Sequence, residues 1–144
     1  MEITMTNDAA CAAALSVNGR WLLIRRGPTV VYPGTWCFPG GKRNDNEDPV
    51  AAAIRELSEE AGIALPKDRQ PVGWWEGKSP NGRDLYILWF PMSYVPQLKL
   101  SQREADMAEW MTRDEVAAAN LISPNVLAAI DAFEAGRPDD VPQS

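Results

Sequence analysis

Two nearly unbroken apolar runs, residues 9–17 and 21–26, flank Asn18-Gly19. An Asn-Gly pair accepts the positive φ angles of a type I′ turn, so this opening predicts a β-hairpin. Residues 27–41 then break any periodicity with Pro28, Pro33, Gly34, Pro39, Gly40 and Gly41, and read as loop, a brief strand over 35–38, and a Gly-Gly turn. Over residues 49–61 the period changes. Val50, Ile54, Leu57 and Ala61 recur at i, i+4, i+7 and i+11, the stripe of a helix that packs along one face. Asp48 suits its N-cap, Pro49 its first position and Gly62 the left-handed residue that stops it. Residues 70–78 and 83–94 carry aromatic and β-branched side chains around Pro80-Asn81-Gly82, a second hairpin, in which Pro91 makes the far half of the second strand an edge or a bulge. Residues 107–111 read as a short strand. Thr112 and Glu115 have the spacing of a capping box that opens a short helix, and Ser123-Pro124 opens a last helix ending near Gly136. The order is irregular rather than a repeating βαβ, so the expected fold class is α/β, with helices on a mixed sheet.

Composition narrows the chemistry. A chain of 144 residues makes one ordinary domain, taken as 1–136, and the Pro- and Asp-rich residues 137–144 read as a flexible tail. At this length roughly two thirds of the unfolded surface can be hidden, so neither a disulfide nor a metal is needed for folding. Histidine is absent, which excludes a Ser-His-Asp triad, a Cys-His pair and His-ligated zinc. Cys11 and Cys37 are neither a CxxC pair nor a disulfide framework, and suit buried positions in a reducing cytoplasm. Lys plus Arg is 14 and Asp plus Glu is 20, a net charge of −6 that argues against general affinity for nucleic acid or anionic membrane. Glu2 and Asp8 leave the N-terminus without the basic stretch of a secretory signal, and no apolar run is long enough to span a bilayer. The six tryptophans read as core, and none is assigned to a site.

The charges are strongly ordered along the chain. Residues 9–44 hold Arg20, Arg25, Arg26, Lys42 and Arg43 and no acid, whereas residues 45–60 hold six acids and Arg55 alone among bases. On the helix over 49–61, Glu56, Glu59 and Glu60 fall within an arc of about 100° on the face opposite the apolar stripe, predicted to face solvent. Like charges so placed repel, and a hard divalent cation would resolve the repulsion. A basic segment that meets an acidic helix through Gly40-Gly41 suggests phosphate held between cationic side chains and carboxylate-bound metal. A solvated acidic face is the plainer alternative for any one Glu pair.

The full spacing goes further. Gly41, Glu47 after five residues, Arg55-Glu56-Leu57 after seven more, then Ser58-Glu59-Glu60-Ala61-Gly62-Ile63, resembles a complete Nudix box, with Leu57 and Ile63 at its aliphatic positions. The resemblance implies an α/β/α sandwich around a mixed sheet and metal-dependent hydrolysis of a nucleoside diphosphate linked to another moiety X, with Mg²⁺ or Mn²⁺ and attack by water at phosphorus. It implies that Glu56, Glu59, Glu60 and the Gly40 carbonyl bind metal, and that Arg55 and Glu47 orient the ligand helix by ion pairing.

Beyond the box the chain is similar to the MutT-type branch, which converts nucleoside triphosphates, oxidised guanine nucleotides included, to monophosphate and pyrophosphate. Leu23-Ile24-Arg25-Arg26 and the stretch from Trp36 to Lys42 carry that similarity. It implies phosphate contacts from Arg26 and Lys42, a base contact from Asn125, and a role for Glu104 as metal ligand or base, six residues before Trp110-Met111. The expected partner is a small-molecule nucleotide, bound by a monomer or homodimer. ADP-ribose or a dinucleoside polyphosphate is the alternative substrate, and a non-catalytic nucleotide sensor the alternative class.

Overall fold

A computed structural model describes residues 8–136 of the chain, so the expected tail over 137–144 lies outside the described residues. The elements run β1 (Ala10–Val17), β2 (Arg20–Arg26), β3 (Trp36–Cys37), β4 (Gly40–Lys42), α1 (Pro49–Ala61), β5 (Gly73–Lys78), β6 (Asp84–Pro91), β7 (Ala105–Thr112), α2 (Arg113–Ala118) and α3 (Asn125–Ala135). Asn18 and Gly19 take φ of 52° and 74°, the left-handed pair that a type I′ turn needs. The hairpin they close is short. β1 and β2 pair only at Ser16–Trp21 and Val17–Arg20, and beyond that the two strands part.

Residues 36–42 fill the opening, β3 pairing antiparallel with β2 and β4 antiparallel with β1. Gly40-Gly41 is therefore strand and not the expected turn. What the glycines supply is closeness, because a Cβ on Gly40 would stand 2.6 Å from that of Ala12. On its other edge β1 takes β6 in parallel, from Ala10–Leu85 to Ser16–Pro91, and β5 pairs antiparallel outside β6. β7 lies antiparallel along β2 and is longer than the expected 107–111. The expected edge or bulge near Pro91 is not found: β6 is internal, with Leu88, Trp89 and Phe90 buried. Pro91 is tolerated there because it ends the strand, and the N–H of Met92 donates to Ser16 O at 2.7 Å in its stead.

Each face of this mixed sheet carries helix. On one, Val50, Ile54, Leu57 and Ala61 of α1 pack with Leu15, Leu22, Leu88 and Phe90. On the other, Val126, Ala129, Ile130 and Phe133 of α3 pack with Trp21, Leu23, Ile87 and Trp89. The rings of Trp21, Trp89 and Phe133 lie 5.4 to 6.1 Å apart, and Trp89 Nε1 donates to Ser16 Oγ at 2.8 Å, so these tryptophans are scaffold, as expected. Thr112 and Glu115 complete the capping box of α2. Among the described residues no helix is long and apolar enough to cross a membrane.

The site depends on how α1 is held. Asp48 accepts hydrogen bonds from the N–H groups of Val50 and Ala51, and Gly62 ends the helix at φ 70°. Residues 95–104, for which the sequence predicts no element, cross the last turn: Lys99 N–H donates to Ala61 O at 2.8 Å and Ser101 N–H to Glu60 O at 2.9 Å. These bonds satisfy carbonyls that a helix end leaves open. A Cβ on Gly62 would lie 2.7 Å from Lys99 Cβ in a left-handed conformation, so Gly62→Ala should destabilise the protein by about 1–3 kcal/mol in urea unfolding. A stability equal to wild type would show that this crossing segment does not press on the helix end.

Candidate active site

The sequence places Glu56, Glu59 and Glu60 together on solvent. The structure separates them. Glu56 and Glu60 are buried, at 9% and 5% relative exposure, and only Glu59 faces out. The correction follows from β4, which lies against the flank of α1. A Cβ on Gly41 would come within 2.7 Å of Glu56 Oε1, and the N–H of Gly40 donates to Glu60 Oε1 at 2.6 Å. Gly41 thus leaves room for the Glu56 carboxylate, and Gly40 offers its N–H to Glu60.

Burial there is costly for charge. It pushes the Glu60 carboxyl up to about 8, with the nearby Glu56 charge raising it further and the Gly40 N–H opposing. Glu56 is raised too, again chiefly by burial, while Arg55 beside it pulls the other way. Arg55 is the organiser. Its Nε and Nη2 grip Glu47 at 2.9 and 3.0 Å, and its Nη1 reaches Glu56 at 3.0 Å and Glu59 at 3.2 Å. Nη2 also donates to Lys42 O at 3.2 Å, tying α1 to β4. The guanidinium holds Glu47 below the usual carboxylate range, and Asn44 N–H adds to that. The ion pairing anticipated for Arg55 and Glu47 is thus present in the geometry.

Glu104 ends the crossing segment, and its charge helps raise both Glu56 and Glu60. Glu109, in contrast, pairs in register with Leu23 and acts on Arg25. Among the described residues no three acidic or thiol side chains already stand in a ligating cluster, and Arg55 engages Glu56 and Glu59. The donor set itself is all oxygen. It contains two buried carboxylates, both raised chiefly by burial and both raised further by the charge of Glu104, which suits a hard divalent cation such as Mg²⁺ or Mn²⁺.

Across Gly40-Gly41, on the α3 side, opens a pocket of about 380 Å³ with an apolar floor that includes Ala12, Leu85 and Ile87. Arg26, Lys42 and Asn125, from three separate elements, all line it. Among the described residues no acid does. The basic run is nevertheless not one patch: Arg20 pairs with Glu115 and Arg25 with Asp106. Arg26 itself donates through Nε to Val31 O. Asn125 Nδ2 donates to Lys78 O at 2.6 Å, which ties α3 to β5 and leaves Oδ1 for a ligand. Two lining residues escaped the sequence reading: Arg83, beside the β5–β6 turn, and Tyr32, in the loop after β2. The 79–83 turn chemistry marks the first. Nothing in the composition marks the second. Tyr32 sits at φ 56°, whereas the other non-glycine positive-φ residues among those described are Asn18 and Asn46. A left-handed conformation costs a bulky L-residue about 1–2 kcal/mol.

A NUDIX domain family model matches residues 5–130. The m7GpppN-mRNA hydrolase NUDT17 of Homo sapiens is 31% identical over 136 residues, covering 85% of this chain and 42% of that protein. The chain thus spans about two fifths of the length of that relative. Phosphatase NudJ of Escherichia coli K12 is 28% identical over 130 residues, covering 88% of this chain and 82% of NudJ. In fold, the crystal structure of a MutT protein from Methanosarcina mazei Go1 matches with TM-score 0.73 at 22% identity, over 96% of this chain and all of that one. The chain belongs to the Nudix family of hydrolases, whose members use divalent metal ions.

The buried carboxyl of Glu60 has a measurable signature. The folded protein holds its proton up to about pH 8, while the unfolded chain releases it near 4.5. Between those values the folded state binds the extra proton, so metal-free protein should lose stability as pH rises through that window. Glu47, whose carboxyl is lowered, is ionised in both states there and adds no slope. In EDTA the Tm should fall from about pH 5 to about pH 8, and Glu60→Gln should flatten the fall. A wild-type Tm that climbs with pH over this interval contradicts the buried proton.

Proposed function

We propose that the chain is a Mg²⁺-dependent pyrophosphohydrolase that cleaves a purine nucleoside triphosphate, 8-oxo-dGTP being the leading candidate, to monophosphate and pyrophosphate. One observation carries this reading: a pocket lined by Arg26, Lys42 and Arg83 and, among the described residues, by no acid adjoins two buried carboxylates across a two-glycine strand. In a chain of net charge −6, that segregation fits a polyanion whose phosphates meet the carboxylate site while its nucleoside occupies the pocket.

Glu56, Glu59 and Glu60, with Glu104 and the Gly40 carbonyl, would hold the metal. Bound there, a divalent ion supplies charge neutralisation at the scissile phosphate and acidifies a water. The chain's own groups do the rest. Arg26, Lys42 and Arg83 bind the polyphosphate, and Arg55 and Glu47 hold Glu56 and Glu59 in place. Glu104 serves as a further ligand or takes the proton of the attacking water. Water oxygen bonds to phosphorus as the bridging P–O bond breaks, and pyrophosphate leaves with the electron pair. Asn125 Oδ1 accepts a hydrogen bond from the base. The domain runs over 1–136, and its two cysteines, neither in a disulfide and both pushed up to about 12 by burial, suit a reducing cytoplasm.

A second reading, another nucleoside diphosphate linked to X, draws on the relative named for mRNA-cap hydrolysis and on a third cation, Arg83, in the pocket. ADP-ribose and dinucleoside polyphosphates are its test substrates. A non-catalytic sensor is disfavoured, because every box carboxylate is present.

The deciding experiment is a panel of nucleoside triphosphates, ADP-ribose and dinucleoside polyphosphates with Mg²⁺, products identified by chromatography. A triphosphate should be the best substrate, yielding pyrophosphate, and excess EDTA should abolish turnover until Mg²⁺ or Mn²⁺ is restored. Faster turnover of ADP-ribose than of every triphosphate would move the assignment to the second reading, and full activity in EDTA would remove the metal site. Glu104→Gln should also lower kcat far more than Glu109→Gln, since only Glu104 lies within electrostatic reach of both buried carboxylates. The opposite ranking would assign the role to Glu109.

A further inference from the structure

Among the described residues that expose large apolar side chains, only Val31 and Tyr32 line the pocket. Trp74 and Tyr94 are also exposed aromatics, but neither borders it. Tyr32 is 41% exposed, and its φ of 56° is one that tyrosine rarely adopts. The conformation is over-determined by its surroundings. Thr35 Oγ1 donates to Tyr32 O at 2.7 Å, Arg26 Nε donates to the preceding carbonyl of Val31, and the N–H of Gly34 donates to Arg26 O at 2.8 Å. A phenol ring is thus kept at the mouth of a pocket, in water, by a strained backbone that three bonds hold in place. Strain maintained in this way marks function more often than accident.

We propose that Tyr32 is a specificity-determining residue that stacks on the nucleobase of the substrate. The inference rests on the nucleotide reading above and adds the group that holds the base. A planar heteroaromatic ring is the ligand part that an exposed aromatic face binds best, whatever its hydrogen-bonding edge. Leu85, Ile87 and Val126 supply apolar lining in the same pocket. The arrangement also gives Arg26 a positioning role: its guanidinium fastens the loop that presents the ring.

Tyr32→Gly makes the cleanest test, because glycine accepts φ 56° without strain and only the ring is lost. On the best triphosphate, Tyr32→Gly should raise KM about 5- to 150-fold with kcat within roughly twofold of wild type. Tyr32→Phe should retain the wild-type KM. On the same triphosphate built on a ribose lacking the base, Tyr32→Gly and wild type should be equal. The proposal is overturned by an unchanged KM in Tyr32→Gly, by an equal loss on the baseless substrate, or by a Tyr32→Phe as impaired as Tyr32→Gly. A wild type that turns over no nucleotide overturns the underlying reading and this one with it, whereas active wild type with an indifferent Tyr32→Gly overturns this one alone.

Discussion

The closeness of α1 to β4 is the constraint on which the site depends. Gly41 leaves room for Glu56 of the helix and Gly40 lets β4 close against Ala12 of β1, so both glycines are required by space and not by backbone angle. Glu56 thereby lies against backbone that any larger residue at 41 would cover, and the Gly40 N–H becomes the polar contact of Glu60 with the sheet. The opening that β4 occupies exists because β1 and β2 share only two paired positions before diverging. A short hairpin, a pair of glycines and a buried pair of acids are parts of one arrangement.

Packing acids so tightly creates an electrostatic problem that a single guanidinium partly answers. Arg55 spreads its donors over Glu47, Glu56, Glu59 and the Lys42 carbonyl, so one planar group fixes helix, loop and strand together. A lysine could not do this, having one point charge in place of a rigid fork. Glu60 is left outside that grip and keeps its proton instead. The site is therefore poised to exchange protons for a cation, a linkage general to carboxylate metal sites.

Much of this was legible in the sequence, for reasons that are local. Asp48, Pro49 and Gly62 act on neighbouring backbone, and the stripe from Val50 to Ala61 needs only the helical period, so α1 is found at its predicted bounds. The wheel could not foresee that Glu56 and Glu60 are buried, because the strand that covers them comes from outside the helix. Gly40-Gly41 looked like a turn since a glycine pair reads the same whether it supplies angles or room. Pro91 looked disruptive until its place at the end of an internal strand was known. The convergence of Arg26, Lys42 and Asn125 on one pocket was implied by resemblance alone. Tyr32 was invisible because its distinction is a dihedral angle.

The parallel pairing of β1 with β6 has a bearing on how the chain folds. Ala10 must find Leu85 and Ser16 must find Pro91, contacts that close loops of some seventy residues, while the β1–β2 hairpin closes within four. Local hairpin and capped helix can form early, but the middle of the sheet waits for the second hairpin to arrive. Until then the edge of β1 that receives β6, and the apolar side chains of both strands, stay uncovered. During synthesis the nascent chain therefore carries an unpaired strand edge until Pro91 has cleared the ribosome, and that interval is set by topology rather than by the strength of any one contact.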